Sequence, residues 1–323
     1  MHQIAQELIA NAKNTSGIEN IYLVGCGGSL GALYPAKKFI ETEAVRTECV
    51  HINSNEFVHT PQSKLGPHSV VIAVSHQGNT PETVEAARVA RESGAQVVAF
   101  TYKEGDSPLA QQADHVVRYT WRPGHDTSRE HVMPVPQLSC ELIHGIGGYR
   151  NYHAFRQGIE KIDQLSKQAM TASADSAKAF SVEYKDDPFI YVMGSGAAFG
   201  AAYMESICIF MEMQWINSSA IHTGEYFHGP FEVTDESIPF VLQVSCGATR
   251  ELDLRALRFL QAHAKRYVVI DAKSLGLDQI DSSVVDYFEH SFFSNVYTVY
   301  NEAISKARNH PLSTRRYMWK ISY

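Results

Sequence analysis

The strongest constraint on this chain is a repeating alternation. Short, continuous runs of Val, Ile and Ala give way to Gly- or Ser-rich loops and then to helical periodicity. IYLVGC (21–26) reads as a strand and GALYPAKKFIETEA (31–44) as the helix after it. VVIAVS (70–75) is a second strand, followed by PETVEAARVARESG (81–94), a helix with Pro81 in its first turn and Gly94 closing it. VVAFTY (97–102) and HVVRYT (115–120) continue the pattern. Strands that are apolar on both faces, with helices between them, require a parallel sheet covered on both sides and joined by right-handed crossovers.

The pattern lapses across WRPGHDTSREHVMPVP (121–136), and two helices are expected near 137–148 and 152–180. A second cycle then begins: strand FIYVMGSG (189–196), helix AAYMESICIFMEMQ (201–214), strand FVLQVSC (240–246), helix RELDLRALRFLQAH (250–263) and strand YVVIDA (267–272). The expected fold class is α/β, with two tandem Rossmann-like subdomains of flavodoxin type over residues 1–150 and 151–323. A length of 323 residues suits two such units.

A net charge of −7 without a Lys/Arg run argues against nucleic acid or an anionic membrane surface as partner. The five cysteines are odd in number, widely spaced and free of CxxC pairs, which argues against a disulfide framework or structural zinc and fits the cytoplasm. No signal-peptide core is expected at the start. The apolar stretch 189–215 is interrupted by Gly194, Gly196, Gly200, Glu205 and Glu212, so it reads as a buried strand and helix rather than a membrane span.

Two loops carry anion-binding chemistry. Gly25 to Ser29 (GCGGS) joins a strand to a helix, where Gly27 and Gly28 let backbone N–H groups approach an anion. It is not a dinucleotide fingerprint, because Gly31 falls one position late and no ribose-binding acid follows the next strand. A ligand-free tight turn remains the alternative. SHQGNTPET (75–83) also opens a helix, and Ser75, His76, Gln77 and Thr80 surround Gly78. Neutral donors at a helix N-terminus suit a phosphate dianion; helix capping by Thr80 is the competing and compatible role.

Farther along, Glu205 and Glu212 are seven apart, which on an α-helix places them on one face. A carboxylate among Met, Ile and Phe has its pKa raised toward the range of a general base. GEYFHGP (224–230) brackets His228 with glycines and a proline, a turn-rich setting that can present an imidazole for proton transfer. His222, Glu225 and His228 could superficially suggest a metal site, but the spacing lacks the helical His pair, so no metal is expected.

CGGS followed by SHQGNT resembles the loops of the sugar isomerase (SIS) family, and the likeness extends through most of the chain. It implies that Ser29, Ser75, Gln77 and Thr80 hold a sugar 6-phosphate, with SCGAT (245–249) a degenerate counterpart. G-E-x-x-H-G-P is also a family signature. It implies that Glu212, sixteen residues before His228, is the enolisation base and that His228 reaches a neighbouring subunit's site in a homodimer; Glu225, in place of a metal role, is read as fixing the loop by accepting backbone N–H bonds. Within the family, the segments 184–232 and 310–323 resemble deglycases acting on 6-phosphofructose-aspartate more than those acting on fructoselysine 6-phosphate. The reaction implied releases glucose 6-phosphate and an amino acid without any cofactor. Arg315, Arg316 and Lys320 are candidates for the amino-acid carboxylates, and Lys320 is favoured because relatives bring a C-terminal lysine over the sugar; packing of the tail's Tyr317 and Trp319 on a dimer interface is the equal alternative. An aldose–ketose isomerase and a non-catalytic sugar-phosphate sensor are the other readings; the start of the first strand by residue 21 leaves a sensor's helix-turn-helix no room.

Overall fold

A computed structural model describes residues 1–12, 17–103, 105–121 and 125–322. The chain forms two compact units, Met1–Glu160 and Lys161–Tyr323.

The first unit is built on five parallel strands: β1 (Asn20–Gly25), β2 (Glu48–Asn53), β3 (Ser69–Val74), β4 (Gln96–Thr101) and β5 (His115–Arg118). Their order is β2-β1-β3-β4-β5. Every residue of β1 and β3 is buried, as continuous Val/Ile runs require. The helices are α1 (His2–Ala12), α2 (Gly28–Gly31), α3 (Tyr34–Glu43), α4 (Ser54–His59), α5 (Pro81–Glu92), α6 (Pro134–Gly147) and α7 (Tyr152–Ala172), within which the division between units falls. On α5, Ala86, Ala87 and Ala90 present a small-residue face that seats against Val71, Ala73, Val97 and Ala99 of the sheet. Phe39 of α3 is fully buried and packs edge-on to Tyr149 and Phe155. Burial of such a ring stabilises by about 2–3 kcal/mol.

The second unit repeats the plan with four parallel strands, β6 (Phe189–Gly194), β7 (Asn217–His222), β8 (Phe240–Val244) and β9 (Tyr267–Asp271), in the order β7-β6-β8-β9. It adds α8 (Ala174–Tyr184), α9 (Phe199–Met204), a π-helix (Glu205–Gln214), α10 (Arg250–His263) and the largely buried α11 (Asp286–Ala307). The central strands match the expectation; the edge strands β2 and β7 had no counterpart in it. Their sequences, ECVHIN and NSSAIH, are polar because one side of each ladder meets solvent, so they lack the apolar run by which strands are recognised.

Three expected helices are broken. The helix expected over 31–44 is split, because α2 ends at Gly31 and α3 starts at Tyr34. The one expected over 152–180 is interrupted at Ser173. The one expected over 201–214 is α-helical only to Met204 and then widens to π geometry, which Trp215 closes in the left-handed conformation (φ 56°). The widening overturns the shared face expected for Glu205 and Glu212, since seven residues complete two turns of an α-helix but not of an i→i+5 helix. Glu205 points into the core at 3% exposure, whereas Glu212 lies at the helix margin. Among the described residues no helix is long and apolar enough to cross a membrane.

Candidate active site

In a 2-1-3-4 strand order, the crossovers diverge between the first and third strands, and ligands bind beyond the carboxyl ends of those strands. Both predicted loops of the first unit lie there, after β1 and after β3, which are adjacent in the sheet. Gly27 has φ 54° and precedes α2; Gly28 opens that helix, and the Ser29 N–H donates to the Cys26 carbonyl at 3.1 Å. In the second loop Ser75 is buried, and its Oγ lies 2.9 Å from Thr80 Oγ1. Thr80 stands at the N-cap of α5 but makes no side-chain cap bond, so its hydroxyl serves the Ser75 pair instead of the helix end. Gln77 is exposed.

His76 is not a free loop side chain. It stacks on Tyr102 (4.9 Å between centroids, 5° between planes), its Nδ1 lies 3.2 Å from the Tyr119 hydroxyl, and Trp121 meets it edge-on. Burial lowers its pKa and so favours the neutral ring. These aromatic partners come from the loops after β4 and β5 and were not anticipated from sequence.

Gly78 is the backbone keystone of this loop. Its φ is 66°, and a Cβ there would stand 2.2 Å from Ser107 Oγ and 2.5 Å from Ser107 Cβ, a buried residue. Gly78→Ala is therefore expected to destabilise the fold by about 2 kcal/mol or more through left-handed strain and collision. Chemical denaturation would measure it, and a loss under 0.5 kcal/mol would contradict this account of the turn.

The equivalent point of the second unit is occupied by the chain's own carboxylates. Glu289 Oε1 accepts from Ser245 Oγ (2.7 Å) and from the Cys246 and Gly247 N–H groups (2.5 and 2.9 Å), while Asp286 accepts from the Ala248 N–H at 2.9 Å. Asp253 receives Ser195 and Thr223 hydroxyls at 2.7 and 2.6 Å and the Ser245 N–H at 2.9 Å. A Cβ on Gly247 would lie 2.2 Å from Asp286 Oδ1. SCGAT thus cradles carboxyl groups of α11, at the position of a phosphate loop. Burial and the neighbouring Asp286 push the Glu289 pKa up to about 8 against the pull of its donors.

Glu212, the candidate base, lies near the end of the π-helix. Its Oε1 lies 2.8 Å from Nη2 of Arg315, which is 9% exposed. Burial raises the Glu212 pKa, and Arg315 opposes the rise. Glu205 instead accepts from Asn301 Nδ2 at 3.1 Å, and burial pushes it up to about 8. Because this folded-state pKa exceeds the unfolded one, the stabilisation is complete below the ordinary carboxylate range and is lost as pH rises toward about 8. Glu205→Gln should therefore flatten the fall in unfolding free energy between about pH 5 and pH 8.5 by a few kcal/mol. Parallel denaturation profiles for the two proteins would contradict this.

In the GEYFHGP segment Tyr226 is buried and its hydroxyl pairs with Thr234, holding the turn, while His228 is exposed. The Glu225 carboxylate is exposed and makes no hydrogen bond among the described residues. It does not fix the loop as expected; the Glu225 carbonyl does, accepting the His228 N–H at 2.9 Å. The backbone alone supplies that contact, so side-chain chemistry gave no sign of it. Among the described residues no group of three or more His, Cys, Asp or Glu side chains is arranged to hold a metal. Lys320 Nζ donates to the Arg315 carbonyl at 2.5 Å, so Arg315 rather than Lys320 stands against the candidate base. A cavity of about 870 Å³ opens near Asn20 and Glu48, at the amino ends of β1 and β2, away from these loops.

The SIS domain model matches residues 16–135. The chain is 42% identical to the fructosamine deglycase FrlB of Bacillus subtilis over 95% of its own length and 93% of that protein. A solved structure from Salmonella typhimurium, described as a candidate phosphosugar isomerase, superposes with a TM-score of 0.94 at 42% identity, covering 100% of this chain and 99% of that one. The fructoselysine 6-phosphate deglycase of Escherichia coli is 25% identical over 84% of this chain and 77% of its own, the lower likeness that the sequence motifs imply. The chain belongs to the SIS-domain family, on its fructosamine deglycase branch.

Proposed function

We propose that this protein cleaves a fructosamine 6-phosphate with water to glucose 6-phosphate and the free amine, with 6-phosphofructose-aspartate as the first substrate to test. The observation that carries the reading is Glu212, a half-buried carboxylate of raised pKa set sixteen residues before His228, in a chain 42% identical to a fructosamine deglycase. Hydroxyl and N–H donors of the loops after β1 and β3, including Gly27, Gly28, Ser29, Ser75, Gln77 and Thr80, bind the phosphate. Neutral His76 braces the second loop. His228, supplied by the partner subunit of a homodimer, opens the sugar ring and polarises the C2 oxygen.

Glu212 then removes a C1 proton, leaving an eneaminol. Protonation at C2 gives a C1 imine, and water adds to it and expels the amine. Every step is proton transfer or hydration, so general acid and base groups suffice. The five widely spaced cysteines, without a CxxC pair, suit a reducing cytoplasm.

Incubation with the aspartate and lysine conjugates of 6-phosphofructose, following glucose 6-phosphate, tests the reading. Release supports it. Interconversion of free hexose phosphates without release from either conjugate would make the protein an aldose–ketose isomerase, and binding without turnover would make it a sensor.

A further inference from the structure

Arg315 is placed unusually for a tail residue. Its guanidinium touches the candidate base, and its three nitrogens are unequally used. Nη1 donates to the carbonyls of Leu312 and Thr314 at 2.9 and 2.7 Å, Nη2 meets Glu212 at 2.8 Å, and Nε is buried without a partner among the described residues. With Nη1 taken by backbone carbonyls, the Nε–Nη2 edge is the one left to hold a carboxylate in bidentate fashion, and Glu212 uses only half of it. The ring of Trp319, itself 75% exposed, lies 5.3 Å from the guanidinium, so one neighbour of this group is a solvent-facing side chain of the tail.

We propose that Arg315 is the specificity residue for the amine portion of the substrate: it binds the carboxylate next to the substrate nitrogen through its Nε–Nη2 edge and releases Glu212 as it does so. The proposal rests on the deglycase reading. In an α-linked conjugate only the nitrogen and the α-carbon separate the carboxylate from C1, the atom whose proton Glu212 removes. A group in contact with the base is therefore within reach of that carboxylate. In a conjugate linked through a lysine side-chain nitrogen, the carboxylate lies a whole side chain farther away. The exchange has a chemical consequence: with Arg315 turned to the substrate, Glu212 loses the cation that opposes its basicity. A bound carboxylate thereby switches the base on.

The test compares 6-phosphofructose conjugates of alanine and of ethylamine, which differ in the carboxylate, with wild type, Arg315→Met and Arg315→Lys. Wild type should favour the alanine conjugate in kcat/KM by roughly 100-fold. Arg315→Met should raise KM for the alanine conjugate by about 10–100-fold and increase turnover of the ethylamine conjugate, collapsing the preference. Arg315→Lys, which keeps the charge but not the fork, should fall between. If Arg315→Met lowers both substrates by one factor, or wild type shows no preference, the assignment to Arg315 is wrong while the deglycase reading stands. Should Arg315→Met not fold, an unchanged preference in Arg315→Lys overturns the assignment. If wild type releases glucose 6-phosphate from neither conjugate, the deglycase reading itself fails and this inference with it.

Discussion

Glu212→Gln is expected to lower turnover of a fructosamine 6-phosphate by about 10²–10⁴-fold with little change in KM. Glutamine keeps the volume of the side chain and an oxygen that can still accept from Arg315 Nη2, so the tail contact at this position survives. What disappears is the ability to take a proton from C1. The loops proposed to hold the phosphate belong to the other unit and are untouched, which is why the loss is expected in kcat. In the wild type, the raised Glu212 pKa places the acid limb of the kcat/KM profile above the ordinary carboxylate range, with activity falling as the base is protonated. Turnover within a few-fold of wild type would remove Glu212 from the mechanism.

His228→Asn should cost at least roughly 100-fold in turnover while leaving stability within about 0.5 kcal/mol of wild type. The imidazole is exposed and bonded to nothing among the described residues, and the turn is held by the buried Tyr226 and by the Glu225 carbonyl. A large functional effect without a structural one would mark the side chain as chemical. The variant also tests subunit sharing. If His228 serves the partner's site, mixing Glu212→Gln with His228→Asn protein and allowing subunits to exchange gives heterodimers with one intact site, restoring roughly a quarter of wild-type activity. Mixtures that stay inactive after exchange would place His228 in its own subunit's site.

The sequence was most legible where one physical demand dominates. Central strands must be apolar on both faces, so β1, β3, β4, β6 and β8 stand out as Val/Ile/Ala-rich runs, and their loops identify themselves through Gly27, Gly78 and the Ser/Thr hydroxyls. Edge strands face no such demand: β5 and β9 still carry a Val pair that marks them, whereas the polar β2 and β7 escaped notice. The π-helix could not be read because its residues are ordinary helix formers, and it ends at Trp215, whose left-handed backbone no local motif announces. Glu289 and Asp286 show a different limit. They fill the second cradle from α11, more than forty positions after Ser245 in the case of Glu289, and only the fold brings such distant residues together. Arg315 was one of three tail cations weighed by charge alone, with Lys320 favoured, and only the fold shows that Arg315 meets the candidate base Glu212.

The account turns on removal of a proton from C1. A substrate carrying deuterium at both C1 positions decides it through the product. Loss of one label to form the eneaminol predicts glucose 6-phosphate with a single deuterium at C1, together with a primary isotope effect on turnover. A hexose phosphate that retains both deuterons at C1 would show that the carbon–nitrogen bond breaks without enolisation, and the role given to Glu212 would be wrong.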